Sequence, residues 1–211
     1  QGFDYNIAGW HLGWPPSYFS PYENPYIEDG PEGEYLTDRL TDEALRVMEH
    51  AHRGRFFLNM CWHTVHTPIE APKQMVDHFA AKLKPGLRHA NPAYAAMVEH
   101  MDENVGRLLA RLDELELSDD TIVVWTSDNG GKGSVTSNLP LRGMKHNLYE
   151  GGIRVPTIVR WPNRIAAGST NATPLISNDF YPTLLDLTGR PLEPEQHLDG
   201  VSFRKVLTGE A

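Results

Sequence analysis

The sequence predicts an α/β fold, a mostly parallel sheet with helices on both faces. Two observations predict it: short, nearly continuous apolar runs alternate with longer stretches of helical periodicity, and each of the two clearest runs ends in a polar cluster. Strands of a parallel sheet are covered on both sides and so read as unbroken apolar runs, with ligands gathering beyond their carboxyl ends. A chain of 211 residues, 40% hydrophobic, is long enough to bury a core.

Residues 1–35 are crowded with Trp, Tyr, Pro and Gly, as in Gly13-Trp14-Pro15-Pro16 and Asn24-Pro25-Tyr26, a composition that resists regular helix and predicts an irregular excursion. Its aromatics read either as a wall of a substrate site or as a cover over an edge of the core. Thr37 or Thr41 is then expected to cap a helix running to about Arg53, with Leu40, Ala44, Leu45, Val47 and Met48 on its apolar face. The run 55–62 reads as a strand buried on both faces, and it leads into His63-Thr64-Val65-His66-Thr67-Pro68.

From Tyr94 to Leu115 apolar residues recur at helical spacing, predicting a long amphipathic helix that ends near Asp119-Asp120. A second buried strand is expected at 121–126, running into Ser127-Asp128-Asn129-Gly130-Gly131. A flexible stretch at 130–138 precedes Leu141-Arg142-Gly143-Met144-Lys145-His146, and a third strand is expected at 157–161. Ser177 or Asn178 is expected to cap a helix over 179–187, and a last short helix is expected at 202–207. The chain as a whole, 1–211, reads as part of one catalytic domain: an irregular region over 1–35 and an α/β body over 36–211.

A formal net charge of -9 with no Lys/Arg run argues against a nucleic-acid surface, which needs clustered positive charge. The single cysteine, Cys61, excludes an internal disulfide framework and any multi-cysteine metal site. No apolar run approaches the roughly 18 to 20 residues that span a bilayer. The chain opens on Gln1-Gly2-Phe3-Asp4 without an initiator Met, so upstream sequence is expected, and the compartment stays open.

Four residues are candidates for chemistry. Asp128 and Asn129 pair a carboxylate with a neutral amide oxygen, hard donors of the kind calcium or magnesium takes, although the same residues beside Gly130-Gly131 also fit a plain Asx turn. His66 can donate a hydrogen bond to an anion or move a proton near neutral pH. Lys145 can reach a sulfate or phosphate oxygen as a point charge, and Arg142, His146 and Arg154 add positive charge around it. For His66 and Lys145 the ordinary alternatives are a solvated loop histidine and a surface lysine.

Taken in order, Tyr35-Leu-Thr-Asp-Arg-Leu-Thr-Asp-Glu-Ala, Phe56-Phe-Leu with His66-Thr-Pro, Thr121-Ile-Val with Thr126-Ser-Asp-Asn-Gly-Gly, and Leu141-Arg-Gly-Met-Lys with Tyr149-Glu-Gly-Gly-Ile-Arg-Val-Pro resemble the sulfatase family. Ser177-Asn-Asp-Phe-Tyr-Pro-Thr-Leu-Leu-Asp-Leu and Asp199-Gly-Val-Ser resemble its later segments, so the likeness covers roughly Gly2 to Leu207. The resemblance implies an alkaline-phosphatase-like fold, here incomplete, and calcium-dependent hydrolysis of sulfate esters, with magnesium the second choice. It implies that Asp128 and Asn129 complete the metal shell and that His66 and Lys145 bind sulfate or assist the leaving oxygen. The implied partner is a sulfated small molecule or a sulfated carbohydrate. His63 is a near neighbour to which no role is carried over.

Two departures qualify the likeness. The family's N-terminal Asp-Asp pair of metal ligands, and the Cys/Ser-x-Pro-x-Arg context that yields its formylglycine nucleophile, have no counterpart in this sequence; they are expected in a longer parent, with a small C-terminal subdomain, leaving this chain alone inactive. Cys61 precedes Trp62-His63-Thr64-Val65 and reads as a packing residue, and Trp10-His11-Leu12-Gly13 only accidentally resembles the family's Lys-x-His segment. Two other readings stand beside this one. The first is a phosphate or phosphonate monoester hydrolase of the same superfamily; the second is a non-catalytic carbohydrate-binding remnant using Trp10, Trp14, Tyr18 and Phe19.

Overall fold

The computed structural model describes residues 2–196 and 199–210; Gln1, His197, Leu198 and Ala211 lie outside them. The chain divides into two compact units, Gln1–Leu117 with Ser127–Val155, and Ser118–Thr126 with Pro156–Ala211.

The first unit is built on α1 (Leu36–Ala51), α2 (Lys73–Ala81) and α3 (Pro92–Glu114). The predicted apolar face of α1 is the one that packs: Leu36, Leu40, Ala44 and Met48 are buried. The predicted cap is not there. Tyr35 occupies the N-cap position without a side-chain cap, and Thr37 and Thr41 lie inside the helix, fully buried. Thr41 Oγ1 donates to the Thr37 carbonyl one turn back, the bond a threonine finds within a helix rather than at its start. In α3 the cap is Asn91, whose side chain accepts from the Tyr94 N–H at 3.0 Å, with Pro92 at the first helical position. The sequence reading assigned no helix to 73–81; α2 follows Pro72 and buries no residue fully.

Tyr18, Tyr22, Tyr35, Leu36, Leu40, Met97 and Ala8 form the core of this unit. The irregular region over 1–35 is therefore partly a core cover, with Tyr18 and Tyr22 at 0% exposure, while Phe3, Tyr5 and Trp14 remain exposed. Full burial removes Tyr18 from any sugar-stacking platform.

Between α1 and α3 sits a polar knot. Asp38 Oδ1 accepts from His100 Nε2 at 2.8 Å and from Asn104 Nδ2 at 2.9 Å, with Arg107 3.8 Å away and also paired to Asp42. Burial by itself raises the Asp38 pKa; the hydrogen bonds from His100 and Asn104 and the charges of His100 and Arg107 outweigh it and hold the carboxyl below its usual range.

The run 55–62 forms no ladder among the described residues, and it is not buried on both faces. Phe56, Leu58, Met60 and Trp62 are half-buried while Phe57, Asn59 and Cys61 are exposed, so one side of an alternating segment packs and the other stays bare. Met60 and Trp62 lie against the tyrosine cluster, which accounts for the covered side.

The second unit contains β1 (Val123–Thr126), β2 (Thr157–Arg160), α5 (Phe180–Leu187) and α6 (Arg204–Thr208); the single helical turn α4 (Glu150–Ile153) belongs to the first. β1 and β2 pair antiparallel, with Val124 opposite Val159 and Trp125 opposite Ile158. This two-stranded ladder is the sheet among the described residues, so the α/β class holds in incomplete form, while the parallel majority expected of the sheet is not seen there. β1 also alternates half-buried and exposed residues instead of being covered on both faces. Neither Ser177 nor Asn178 caps α5; the buried Asp179 carboxylate accepts from the Ile176 and Val201 N–H groups, each at 2.9 Å. No helix among the described residues is long and apolar enough to cross a membrane.

Replacing Asp38 by Asn should lower stability at neutral pH. Because the native Asp38 pKa is depressed, its contribution is present above the unfolded value of 3.8 and is lost as pH falls through the lower native value. Urea unfolding of wild type and Asp38→Asn from pH 7 downward should therefore show a stability gap that closes only below pH 3.8.

Candidate active site

His66 stands in a loop held from two sides by hydroxyl groups. Tyr18 Oη donates to the His66 carbonyl at 3.0 Å, Tyr35 Oη donates to the Glu70 carbonyl at 2.8 Å, Thr37 Oγ1 and Thr64 Oγ1 are bonded at 2.6 Å, and Trp62 Nε1 donates to Thr41 Oγ1 at 3.2 Å. Burial raises the Tyr18 pKa first, and the nearby Tyr35 raises it further, so its phenol keeps the proton it donates. The threonines predicted as caps are the donors and acceptors that fasten this loop to α1.

The His66 ring is half-buried, with Nδ1 2.9 Å from the Thr67 carbonyl oxygen. A carbonyl only accepts, so Nδ1 carries the proton and Nε2 is left to face a ligand. His63 Nδ1 is buried with no hydrogen-bond partner among the described residues, and burial followed by the charge of His66 lowers the His63 pKa, which keeps it neutral near pH 7. The motifs assign this histidine no role, and an unsatisfied buried nitrogen shows itself only in the folded chain.

Asp128 is exposed and Asn129 half-buried, in a loop tied to the Lys145 segment through the backbone. The Lys145 N–H donates to the Gly131 carbonyl at 3.1 Å, and the Gly130 N–H donates to the Gly152 carbonyl at 2.9 Å. Asn138 closes the loop on itself, donating to the Gly131 carbonyl at 2.8 Å and accepting from the Gly131 N–H at 2.9 Å. The segments pass so closely that side chains are excluded: a Cβ on Gly151 would be driven into the Gly143 carbonyl, and one on Gly130 into the Gly151 carbonyl. The stretch 130–138, expected to be flexible, thus carries its own closed set of hydrogen bonds.

The structure therefore ties the loop that carries Asp128 and Asn129 to the Lys145 segment through the backbone. His66 lies in the same unit, but among the described residues no hydrogen bond or ion pair joins it to those three. Of the neighbouring cations, Arg154 is paired to Glu150 at 3.4 Å, and Arg142 lies over the Tyr149 ring, 3.7 Å from its centroid. Cys61 is exposed rather than packed.

For a hard cation the donor types at Asp128 and Asn129 are right and their number is short. Two oxygens fill a fraction of the six to eight positions calcium takes, and no group of three or more His, Cys, Asp or Glu is gathered for an ion among the described residues. The pair fits part of a shell.

Residues 1–190 match the family model described as Sulfatase. The chain belongs to the sulfatase family. It is similar to a sulfatase of Formosa agariphila, 35% identical over 201 residues that make up 89% of this chain and 36% of that protein. It is also similar to the steryl-sulfatase of Homo sapiens, 37% identical over 83% of this chain and 30% of that protein. Among solved structures, that of Ps i-CgsB in complex with k-i-k-neocarrahexaose matches with a TM-score of 0.76 at 35% identity, covering 85% of this chain and 40% of that one. The chain spans about a third of the length of these curated relatives. Its α/β fold is the alkaline-phosphatase-like fold of that family.

The glycine contacts make a local test. Gly151→Ala must displace the backbone of the 142–143 segment and should cost about 1–3 kcal/mol. Thermal unfolding should register the loss, and limited proteolysis should show new cleavage within 128–152; unchanged behaviour in both would mean the two segments are not locked together as described.

Proposed function

We propose that the parent of this sulfatase-family chain hydrolyses sulfate esters, with calcium as its metal, and that this chain supplies the anion-facing part of the site. The observation that supports the reading is the backbone linkage of the loop bearing Asp128 and Asn129, two hard oxygen donors, to the segment bearing Lys145, whose ammonium has no hydrogen bond or ion pair among the described residues. In that role Asp128 and Asn129 hold the cation together with ligands from elsewhere in the parent. A bound divalent ion contributes positive charge against the sulfate oxygens. Lys145 binds the anion as a point charge and neutralises charge that builds on the sulfuryl oxygens as the ester bond breaks. His66, with Nδ1 committed to the Thr67 carbonyl, presents Nε2 to the ester and, as imidazolium, gives a proton to the departing oxygen.

The formylglycine nucleophile belongs to the Cys/Ser-x-Pro-x-Arg context, which no position of this sequence provides. Cys61 lacks the Pro and Arg offsets and takes no part. A sulfated carbohydrate is the favoured substrate class, supported by the likeness to a protein whose structure holds a neocarrahexaose.

In the full-length parent, His66→Ala and Lys145→Ala should each lower kcat by roughly a hundredfold to a thousandfold while leaving the unfolding midpoint in place. Full rate in both variants overturns the roles given to these residues. Removal of divalent ions by a chelator should abolish turnover, with recovery on adding calcium. A chelated parent that still turns over sinks the metal assignment.

A further inference from the structure

Arg142 is the cation beside Lys145 whose position the fold sets most closely. Its backbone carbonyl accepts from the Gly151 N–H at 2.7 Å, in the close passage where no Cβ fits. Its guanidinium lies over the Tyr149 ring at 3.7 Å, and Nη2 donates to Tyr149 Oη at 2.9 Å. The pair is exposed, and among the described residues no carboxylate is within ion-pair distance of Arg142. Arg154, by contrast, is spent on Glu150. A guanidinium held by stacking and one hydrogen bond keeps its other donors in a fixed fork, the arrangement suited to a planar or tetrahedral anion.

The surroundings say what carries that anion. Leu148 is 90% exposed and Tyr149 49%, so apolar surface flanks the cation, while the neighbouring Glu150 carboxylate is paired to Arg154. Arg142 and Lys145 are three residues apart, which limits their Cα separation to about 11 Å. They are also independently anchored, Arg142 through Gly151 and Lys145 through Gly131. Two cationic side chains rising from anchored backbone at such a spacing, with exposed apolar surface beside them, match a ligand bearing two anionic groups on a ring framework.

We propose that Arg142, seated on Tyr149, is a specificity-determining residue that binds a second anionic substituent of the substrate, so that the preferred ligand is a carbohydrate carrying another sulfate or a carboxylate near the ester held at Lys145. The proposal rests on the reading of Lys145 given above. Arg142 makes charge-assisted bonds to the second group and takes no part in bond breaking. Tyr149 acts through Arg142, as its support.

The test uses the full-length parent with three probes: a monosulfated aryl ester, a disulfated oligosaccharide, and a monosulfated oligosaccharide containing a uronate. Calorimetric affinity and steady-state kinetics are measured for each. Arg142→Ala should weaken binding and raise KM about tenfold for the probes with two anionic groups, with little change in kcat and a much smaller change for the aryl ester. Arg142→Lys should recover only part of the loss, because it restores charge without the fork. Tyr149→Phe, which keeps the ring and removes the oxygen, should lie between the wild type and Arg142→Ala. The disulfated and uronate probes show which anion is read. An equal effect on all three probes, or no effect, overturns the proposal and leaves Arg142 a support of its loop. A wild type that binds the doubly charged probes more tightly but turns over none of them sinks the sulfatase reading alone.

Discussion

The loop that carries His66 is fastened to α1 and to the tyrosine cluster by hydroxyl groups, and the placement of that histidine depends on them. Thr37 and Thr41 rise from a helix face that is otherwise apolar and bond Thr64 Oγ1 and Trp62 Nε1, while Tyr18 and Tyr35 donate to the carbonyls of His66 and Glu70. Each is a polar group taken into a core, which is tolerable because each finds a partner. Apolar packing alone would leave the segment free to slide along α1. Directional bonds at four positions give it one register.

The second loop pair is held by a different means. Between 128–131 and 143–152 the backbones meet directly, with glycines at 130, 151 and 152 where a Cβ would strike a carbonyl. The first arrangement specifies position by side-chain chemistry, the second by the absence of side chains. The first carries His66 and the second carries Lys145, both half-buried, together with the exposed Asp128.

The sequence made the amphipathic helices legible because their signal is local. The periodicity of α1 and α3 places both within a few residues, and β2 lies within its predicted range. Partnership was not legible. An apolar run at 55–62 cannot state whether one face or two will be covered, since ladder formation depends on residues distant in sequence. Thr37 and Thr41 look like caps because caps and buried helical threonines share a residue type, and only the backbone at Tyr35 decides between them. A nine-residue helix after Pro72 with no fully buried residue offers too weak a face to be heard, so α2 was missed. The candidate residues were found through motif order, whereas the Arg142–Tyr149 seat and the unsatisfied His63 nitrogen required coordinates.

The half-bare run at 55–62 bears on how the molecule behaves in a tube. Residues 56–61, Phe-Phe-Leu-Asn-Met-Cys, form a six-residue strip with no charge and no proline, and Phe57 on its open side is 67% exposed. Such strips are templates for edge-to-edge association. This strip is therefore one place where copies of the chain can associate edge to edge, and a charge placed at Asn59, on its open side, would oppose that pairing.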